Sequence, residues 1–172
     1  MSLNNFERIL AVISDAEVQF VIIGGVAASA HGSAQLTRDL DICYQRTVEN
    51  VRRLVAALTP LHPRLRGAPA DLPFIFDERT ILRGFNFTLS TDLGAVDLLG
   101  EVQGLGDYTA VAAASGPMDL FGRQFKVLLL QGLIRSKRSA GRPRDLAILP
   151  ELEALLEIEV KTKADPSGGT RS

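Results

Sequence analysis

The fold is decided by residues 21–43, which read VIIGGVAASAHGSAQLTRDLDIC. The apolar run 18–23 predicts a buried β-strand, because Val, Ile and Phe favour extended structure. Gly24–Gly25 follow this strand, and a short helix is predicted over residues 26–31. A second strand is predicted over residues 39–44. The stretch therefore indicates a strand, a glycine turn, a short helix and a second strand in close succession.

Two acidic residues, Asp39 and Asp41, stand two positions apart in the second predicted strand. Side chains alternate between the two faces of a strand, so both carboxylates are expected on one face. Leu40 and Ile42 are expected on the opposite, buried face. Adjacent carboxylates repel each other and are costly to bury without a partner. A hard divalent cation such as Mg²⁺ relieves this repulsion, so the pair predicts a metal site.

Gly24 and Gly25 predict a phosphate site next to these carboxylates. Glycine lets the backbone approach a ligand closely, and the free N–H groups at the start of the following helix suit an anion. Ser29 lies in the same helix and is a further candidate for phosphate contact. A phosphate site and a metal-binding carboxylate pair, joined by one short helix, indicate a site for a nucleoside triphosphate.

The spacing of these residues resembles a known signature. Gly24–Gly25, thirteen intervening residues and Asp39-x-Asp41 resemble the motif of the DNA polymerase β-like nucleotidyltransferase superfamily. The wider pattern, IIGGVAASAHG followed by LTRDLDI, is similar to the minimal nucleotidyltransferases, which include toxins of type IV toxin–antitoxin (abortive-infection) systems. The family motif is often Gly-Ser, and the Gly-Gly variant lacks that hydroxyl. The resemblance covers about residues 4–160 and implies an α/β (α+β) fold with a central mixed sheet flanked by helices.

Asp97 is a candidate for a third carboxylate of this site. It stands alone in the apolar segment 95–99, a predicted core strand, and therefore needs a partner. One interpretation is a structural aspartate that is hydrogen-bonded to a neighbouring turn. The resemblance implies the other, because the family carries its third acidic residue on a later strand of the same sheet.

Lys137 is a candidate for contact with the triphosphate. It follows Leu130, Leu133 and Ile134 by seven, four and three positions, so it is expected on the apolar side of a helix predicted over 127–138. Such a lysine either extends its ammonium group to solvent or reaches an anionic site. The resemblance implies the second role, since related enzymes carry a lysine in a C-terminal helix.

The resemblance implies metal-dependent transfer of a nucleoside monophosphate from a triphosphate to a hydroxyl group. Asp39, Asp41 and Asp97 would be catalytic and would hold two Mg²⁺ or Mn²⁺ ions, while phosphate would be bound by Gly24, Gly25, Ser29 and Lys137. The implied acceptor is tRNA, another RNA or a protein, and a toxin of this kind would have an antitoxin partner. The rival interpretation is an inactive protein of the same fold that binds a nucleotide or a partner.

Composition limits the remaining possibilities. The chain has 172 residues, 46% of them hydrophobic, and a formal net charge of −1, so no overall field attracts it to nucleic acid or membrane. Its single cysteine, Cys43, excludes an internal disulfide and favours the reducing cytoplasm. No apolar run is long enough to cross a bilayer. One domain is expected over 1–162, with the motif core at 18–100, a helical part at 127–160 and a disordered tail at 163–172.

Further elements are predicted from periodicity and capping residues. Helices are predicted over 3–14, from Thr47 to before Pro60, over 78–83 and 107–114, and from Pro143 onward; strands are predicted over 85–90 and 95–99, and a hairpin over 118–127. Residues 60–77 contain four prolines and are predicted to be a loop. Arg64 and Arg66 could reach substrate from this loop, but a position in solvent is the favoured interpretation. The segment 123–144 carries seven basic residues and no acidic one, which suits either phosphate binding or a solvated surface.

Overall fold

A computed structural model describes residues 3–69 and 72–164 of the chain. The described helices are α1 Leu3–Asp15, α2 Gly24–Ala30, α3 Val48–Leu58, α4 Glu78–Arg83, α5 Tyr108–Ala113, α6 Leu130–Ala140 and α7 Pro143–Ala164. The described strands are β1 Phe20–Ile23, β2 Asp39–Tyr44, β3 Arg64–Leu65, β4 Asn86–Thr91, β5 Gly94–Leu99, β6 Glu101–Val102, β7 Gly106–Asp107, β8 Ser115–Leu120 and β9 Arg123–Leu128.

A mixed sheet forms the centre of the protein, in the strand order β3-β4-β5-β2-β1-β9-β8. The pairs β2–β5 and β1–β9 are parallel, and the remaining neighbours are antiparallel. Strands β6 and β7 form a separate two-stranded sheet. The predicted fold class, a central mixed sheet flanked by helices, is confirmed.

The core lies between the sheet and the helices packed on it. The apolar stripe of α1 is fully removed from solvent at Ile9, Leu10 and Ile13, as its helical spacing predicts. Helix α3 begins where predicted, because the Thr47 side chain accepts a hydrogen bond from the backbone N–H of Asn50. Local capping and long-range burial therefore agree on these boundaries.

The C-terminal half departs from the predicted boundaries in two places. The helix predicted over 127–138 begins only at Leu130, because Val127 pairs with Ile22 in the parallel β1–β9 ladder. The predicted hairpin is present, and its second strand thereby joins the main sheet. Helix α7 runs through Pro150 to Ala164, so the first two residues of the predicted tail are helical. The rest of that tail lies outside the described residues.

The predicted loop over 60–77 contains one short strand. Arg64 and Leu65 pair with Ser90 and Leu89 of β4, so β3 forms one edge of the main sheet. Among the described helices, none combines the length and the hydropathy that a membrane span requires.

Candidate active site

Asp39, Asp41 and Asp97 lie on one face of two adjacent parallel strands. Asp41 is the register partner of Asp97 in the β2–β5 ladder, and Asp39 precedes Asp41 by two residues. Leu40 and Ile42, which alternate with the two aspartates, are fully buried on the other face. The three carboxylates line one cleft of about 770 Å³, a volume typical of sites for small ligands.

The electrostatics of Asp41 show that the carboxylates interact. The pKa of Asp41 is raised to about 7, chiefly by burial and also by the negative charges of Asp39 and Asp97. The positive charge of Lys137 and a hydrogen bond donated by the backbone N–H of Gly25 act in the opposite direction. The cleft therefore concentrates negative charge at Asp41 and holds a cationic side chain nearby.

Arg66 provides the counter-charge for Asp97. One guanidinium nitrogen of Arg66 lies 2.7 Å from Oδ1 and 2.9 Å from Oδ2 of Asp97. A second nitrogen lies 3.6 Å from Oδ2 of Asp39. Burial raises the pKa of Asp97, Arg66 opposes this effect, and Asp39 reinforces it. The prediction that Arg66 points into solvent is wrong, because β3 places it beside the carboxylates.

Gly24 and Gly25 are required by the close approach of α2 to β2. Gly24 has φ of 62°, and a methyl group on its Cα would lie 2.1 Å from Oδ2 of Asp41. A methyl group on Gly25 would lie 2.5 Å from the Thr37 side chain, whose hydroxyl donates to the backbone carbonyl of Asp39 at 3.0 Å. Both glycines line the cleft. They bring the first turn of α2 against the carboxylates, where a side chain has no room.

Lys137 lines the same cleft, where it is held by a buried aspartate. Its Nζ donates to Oδ1 of Asp145 at 2.7 Å, and Nε of Arg142 donates to Oδ2 of the same carboxylate at 2.6 Å. The Asp145 side chain is 1% exposed. Burial raises the pKa of Asp145, but Lys137 and Arg142 outweigh this and lower it. Asp145 therefore pairs with both Lys137 and Arg142.

Ser29 is displaced from the other predicted phosphate contacts. It lies on the exposed side of α2, its hydroxyl is 3.5 Å from the carbonyl of Gln35, and it does not line the cleft. Successive residues of a helix point about 100° apart, so Ala28 faces the cleft and Ser29 turns away from it. His31, at the end of this helix, contacts the carbonyl of Leu128 at 2.9 Å, which gives it a structural role.

Carboxylate oxygens are the donors that Mg²⁺ and Mn²⁺ prefer, so the chemistry of the donor set fits a divalent cation. The raised pKa of Asp41 indicates excess negative charge that such an ion would neutralise. Within residues 3–69 and 72–164, however, no group of three or more His, Cys, Asp or Glu residues is gathered to hold a metal ion. Asp39 and Asp41 are available as a pair, whereas Asp97 is engaged by Arg66.

Sequence reasoning favoured solvent over the site for Arg66, and it included Arg144 only as one of the seven basic residues of 123–144. The alternation Arg64-Leu65-Arg66 is typical of a strand, but a pattern of three residues between Pro63 and Pro69 is too short to outweigh the loop composition of the segment. Arg144 lines the cleft, and its charge opposes the rise in the pKa of Asp97 that burial causes. Its position at the start of α7, beside the capping Pro143, contained no separate signal.

Comparisons with known proteins bear on the fold. No protein-family model and no curated protein sequence matches the chain. TM1012 from Thermotoga maritima, a proposed nucleotidyltransferase, is similar to this chain with a TM-score of 0.52 and 15% identity over 94% of this chain and 96% of that one. The lincosamide antibiotic adenylyltransferase LnuA, solved with lincomycin bound, has a TM-score of 0.58 and 11% identity over 90% of this chain and 98% of that one. The antibiotic-resistance factor ANT(2'')-Ia has a TM-score of 0.54 and 14% identity over 94% of this chain and 92% of that one.

At these identities the likeness shows the fold. The chain has the mixed α/β architecture of nucleotidyltransferases along nearly its whole length.

Proposed function

We propose that this protein is a metal-dependent nucleotidyltransferase that transfers a nucleoside monophosphate from a nucleoside triphosphate to a hydroxyl group. One observation carries the proposal: Asp39, Asp41 and Asp97 share one face of adjacent parallel strands. They line a single cleft with Gly24–Gly25 and Lys137. The shared fold with solved nucleotidyltransferases supports the same class of reaction.

Each residue of the cleft has a role in this proposal. Mg²⁺ or Mn²⁺, proposed as two ions on Asp39, Asp41 and Asp97, would supply Lewis-acid stabilisation of the triphosphate and of the attacking oxygen. Gly24–Gly25 would donate backbone N–H groups to the β and γ phosphates. Asp97 would accept the proton of the acceptor hydroxyl as the hydroxyl oxygen bonds to the α-phosphorus. Lys137 would stabilise the negative charge that develops on the pyrophosphate as its bond to that phosphorus breaks.

The acceptor is proposed to be tRNA, another RNA or a protein, in a toxin that pairs with an antitoxin. The resemblance of the Gly24–Gly25 and Asp39-x-Asp41 motif to minimal nucleotidyltransferases supports this choice. The lincomycin-bound structure of LnuA adds a second class of acceptor to test, a small hydroxyl-bearing antibiotic. Both classes supply the hydroxyl nucleophile that the reaction needs.

A transfer assay tests the proposal directly. The purified protein is incubated with each α-labelled nucleoside triphosphate, with Mg²⁺ or Mn²⁺, and with total RNA, cell extract or lincosamide and aminoglycoside antibiotics. We expect label to appear in one acceptor class and pyrophosphate to be released. The double variant Asp39→Ala/Asp41→Ala should lose both signals. The variant Asp119→Ala removes an exposed carboxylate on β8, away from the cleft, and should retain both.

The second candidate function is an inactive protein that binds a nucleotide or a partner. The contact of Arg66 with both oxygens of Asp97 favours it, because the third carboxylate is engaged in this arrangement. Metal-dependent binding of a triphosphate without pyrophosphate release, measured by calorimetry, would favour this candidate. If no triphosphate binds with or without metal, the nucleotidyltransferase and the nucleotide-binding protein are both excluded, and binding of a partner is the function left to test.

A further inference from the structure

Arg66 belongs to a row of residues that crosses four strands of the main sheet. Its backbone N–H donates to the carbonyl of Thr88 at 2.9 Å, which extends the β3–β4 pairing by one residue. Thr88 is the register partner of Asp97 in β4–β5, and Asp97 is the partner of Asp41 in β2–β5. Side chains of one such row point to the same face of a sheet. The strand register itself therefore directs Arg66 toward the carboxylates.

The contact engages the whole carboxylate of Asp97. One guanidinium nitrogen lies within 2.9 Å of both oxygens, and the neighbouring nitrogen is 3.6 Å from Asp39. The Asp97 side chain is 16% exposed and that of Arg66 is 34% exposed, so the pair is largely shielded from water. Charge-assisted hydrogen bonds of this length are stronger than neutral ones. A metal ion would need the same oxygens at about 2.0–2.1 Å, which is incompatible with a guanidinium group on them.

We propose that Arg66 is a positioning residue of the metal site. Arg66 holds the Asp97 carboxylate in the absence of metal, and it competes for this carboxylate with a divalent ion that binds. The inference rests on the proposed function, because it presumes that Asp97 is a metal ligand. It adds that release of Arg66 is coupled to metal binding. By linkage, the Arg66–Asp97 contact lowers the affinity of the site for divalent ions. In the absence of metal, the same contact offsets the repulsion among the three carboxylates.

Arg64 provides a matched control for the charge of Arg66. It lies two residues earlier in the same edge strand, so it has the same charge on the same face. Its side chain is 69% exposed, and its guanidinium lies 3.5 Å from the exposed carboxylate of Asp92. Replacing Arg64 therefore removes one positive charge from this edge of the sheet without releasing Asp97.

The test measures metal affinity without nucleotide or turnover. Mn²⁺ is titrated at constant ionic strength into the full chain, and free Mn²⁺ is followed by electron paramagnetic resonance. We expect Arg66→Gln to tighten Mn²⁺ binding roughly fivefold or more, which is the upper end of the range for an exposed ion pair or beyond it. Arg64→Gln should stay within about twofold of the wild type. Equal or weaker binding in Arg66→Gln would overturn the proposal. Circular dichroism confirms folding, and Arg66→Met is the replacement if the glutamine variant does not fold.

A double-mutant cycle separates competition for Asp97 from a general effect of charge. In an Asp97→Asn background, the tightening by Arg66→Gln should be clearly smaller than in the wild-type background, because the contested carboxylate is gone and only the longer contact with Asp39 is left. If Arg66→Gln tightens binding equally in both backgrounds, Arg66 acts only through its field and the inference fails. If Mn²⁺ binds neither the wild type nor any variant, the proposed metal dependence itself fails, which is a distinct outcome.

Discussion

Gly24 is the residue at which helix α2 lies closest to the carboxylates. We predict that Gly24→Ala destabilises the protein by more than the roughly 1–2 kcal/mol expected for a left-handed conformation alone, because the new methyl group would meet Asp41 at 2.1 Å. Gly122→Ala is the matched control, since Gly122 has φ of 73° and nothing within 4 Å of an added methyl. Urea denaturation of both variants gives the two free energies of unfolding. Equal losses would mean that Asp41 moves aside without cost.

Asp41 carries a prediction about pH. Its pKa rises from the ordinary 3.8 to about 7 in the folded protein, so between these values the folded state binds more protons than the unfolded state. Stability contributed at this site must therefore fall as pH rises from about 4 to about 7. We expect the free energy of unfolding of the wild type, relative to Asp41→Asn, to decline over this range in the presence of EDTA. Parallel curves for the two proteins, measured by urea denaturation, would contradict the raised pKa.

At the scale of elements, the sequence predicted those parts whose local pattern and burial agree. Strand β2 was predicted over its full length because apolar residues alternate with Asp39 and Asp41. Helix α6 was predicted three residues too early, because Val127 fits a helical stripe as well as a strand. Val127 pairs with Ile22, which is 105 residues away, and pairing at that separation leaves no signal in the sequence around Val127.

The same limit explains which site residues were missed. Lys137 was identified because its spacing from Leu130, Leu133 and Ile134 is a local property of one helix. Arg66 was not identified, because its role depends on a two-residue strand at the sheet edge and on an aspartate 31 residues later. Ser29 was included through its nearness in sequence to Gly25, although the rotation of the helix turns it away from the cleft.

Helix α4 is held to the sheet by Arg46, which follows strand β2. Its guanidinium donates to the carbonyls of Leu82 and Gly84, at 2.7 Å and 2.8 Å, at the end of this helix. It also lies over the ring of Phe85, 4.0 Å from the centroid. Gly100 leaves room for its stem, because a methyl group there would lie 2.6 Å from Cδ of Arg46. One planar cation thus satisfies the exposed carbonyls at a helix end and packs on an aromatic ring.

We predict that Arg46→Lys lowers the free energy of unfolding by about 1.5–3 kcal/mol, because a lysine has no planar group that packs on the Phe85 ring while one of its nitrogens donates to both carbonyls. Arg52→Lys is the control, since Arg52 is 59% exposed and its ion pairs, with Glu49 on α3 and Glu78 on α4, are longer at 3.6 Å and 3.5 Å. Its effect should stay below about 0.5 kcal/mol. Urea denaturation at neutral pH measures both, and similar losses in the two variants would refute the anchoring role of Arg46.

At the scale of the whole molecule, a formal net charge of −1 conceals a separation of charge between the elements that line the cleft. Strands β2 and β5 carry the carboxylates, while the cationic residues Lys137, Arg142 and Arg144 lie in α6, in the link to α7 and at the start of α7. Other basic residues of the segment 123–144 lie elsewhere, because Arg123 and Arg138 pair with acidic residues at exposed positions. A metal ion suits the carboxylates and a triphosphate the cationic residues, so the two ligands together are complementary to the cleft.

This charge separation predicts that a triphosphate and a metal ion stabilise the protein jointly. At about 100 times the dissociation constant, a bound ligand adds about 2.7 kcal/mol, which raises the melting temperature of a chain of this size by about 5–10 °C. We expect the shift with Mn²⁺ and triphosphate together to exceed the sum of the separate shifts. Lys137→Met should lose most of the triphosphate-dependent shift and keep that of Mn²⁺ alone. Arg138→Met, next to it but paired with Glu153 outside the cleft, should keep both. If Lys137→Met retains the full joint shift in thermal melts, Lys137 does not bind the triphosphate and the cleft is used in some other way.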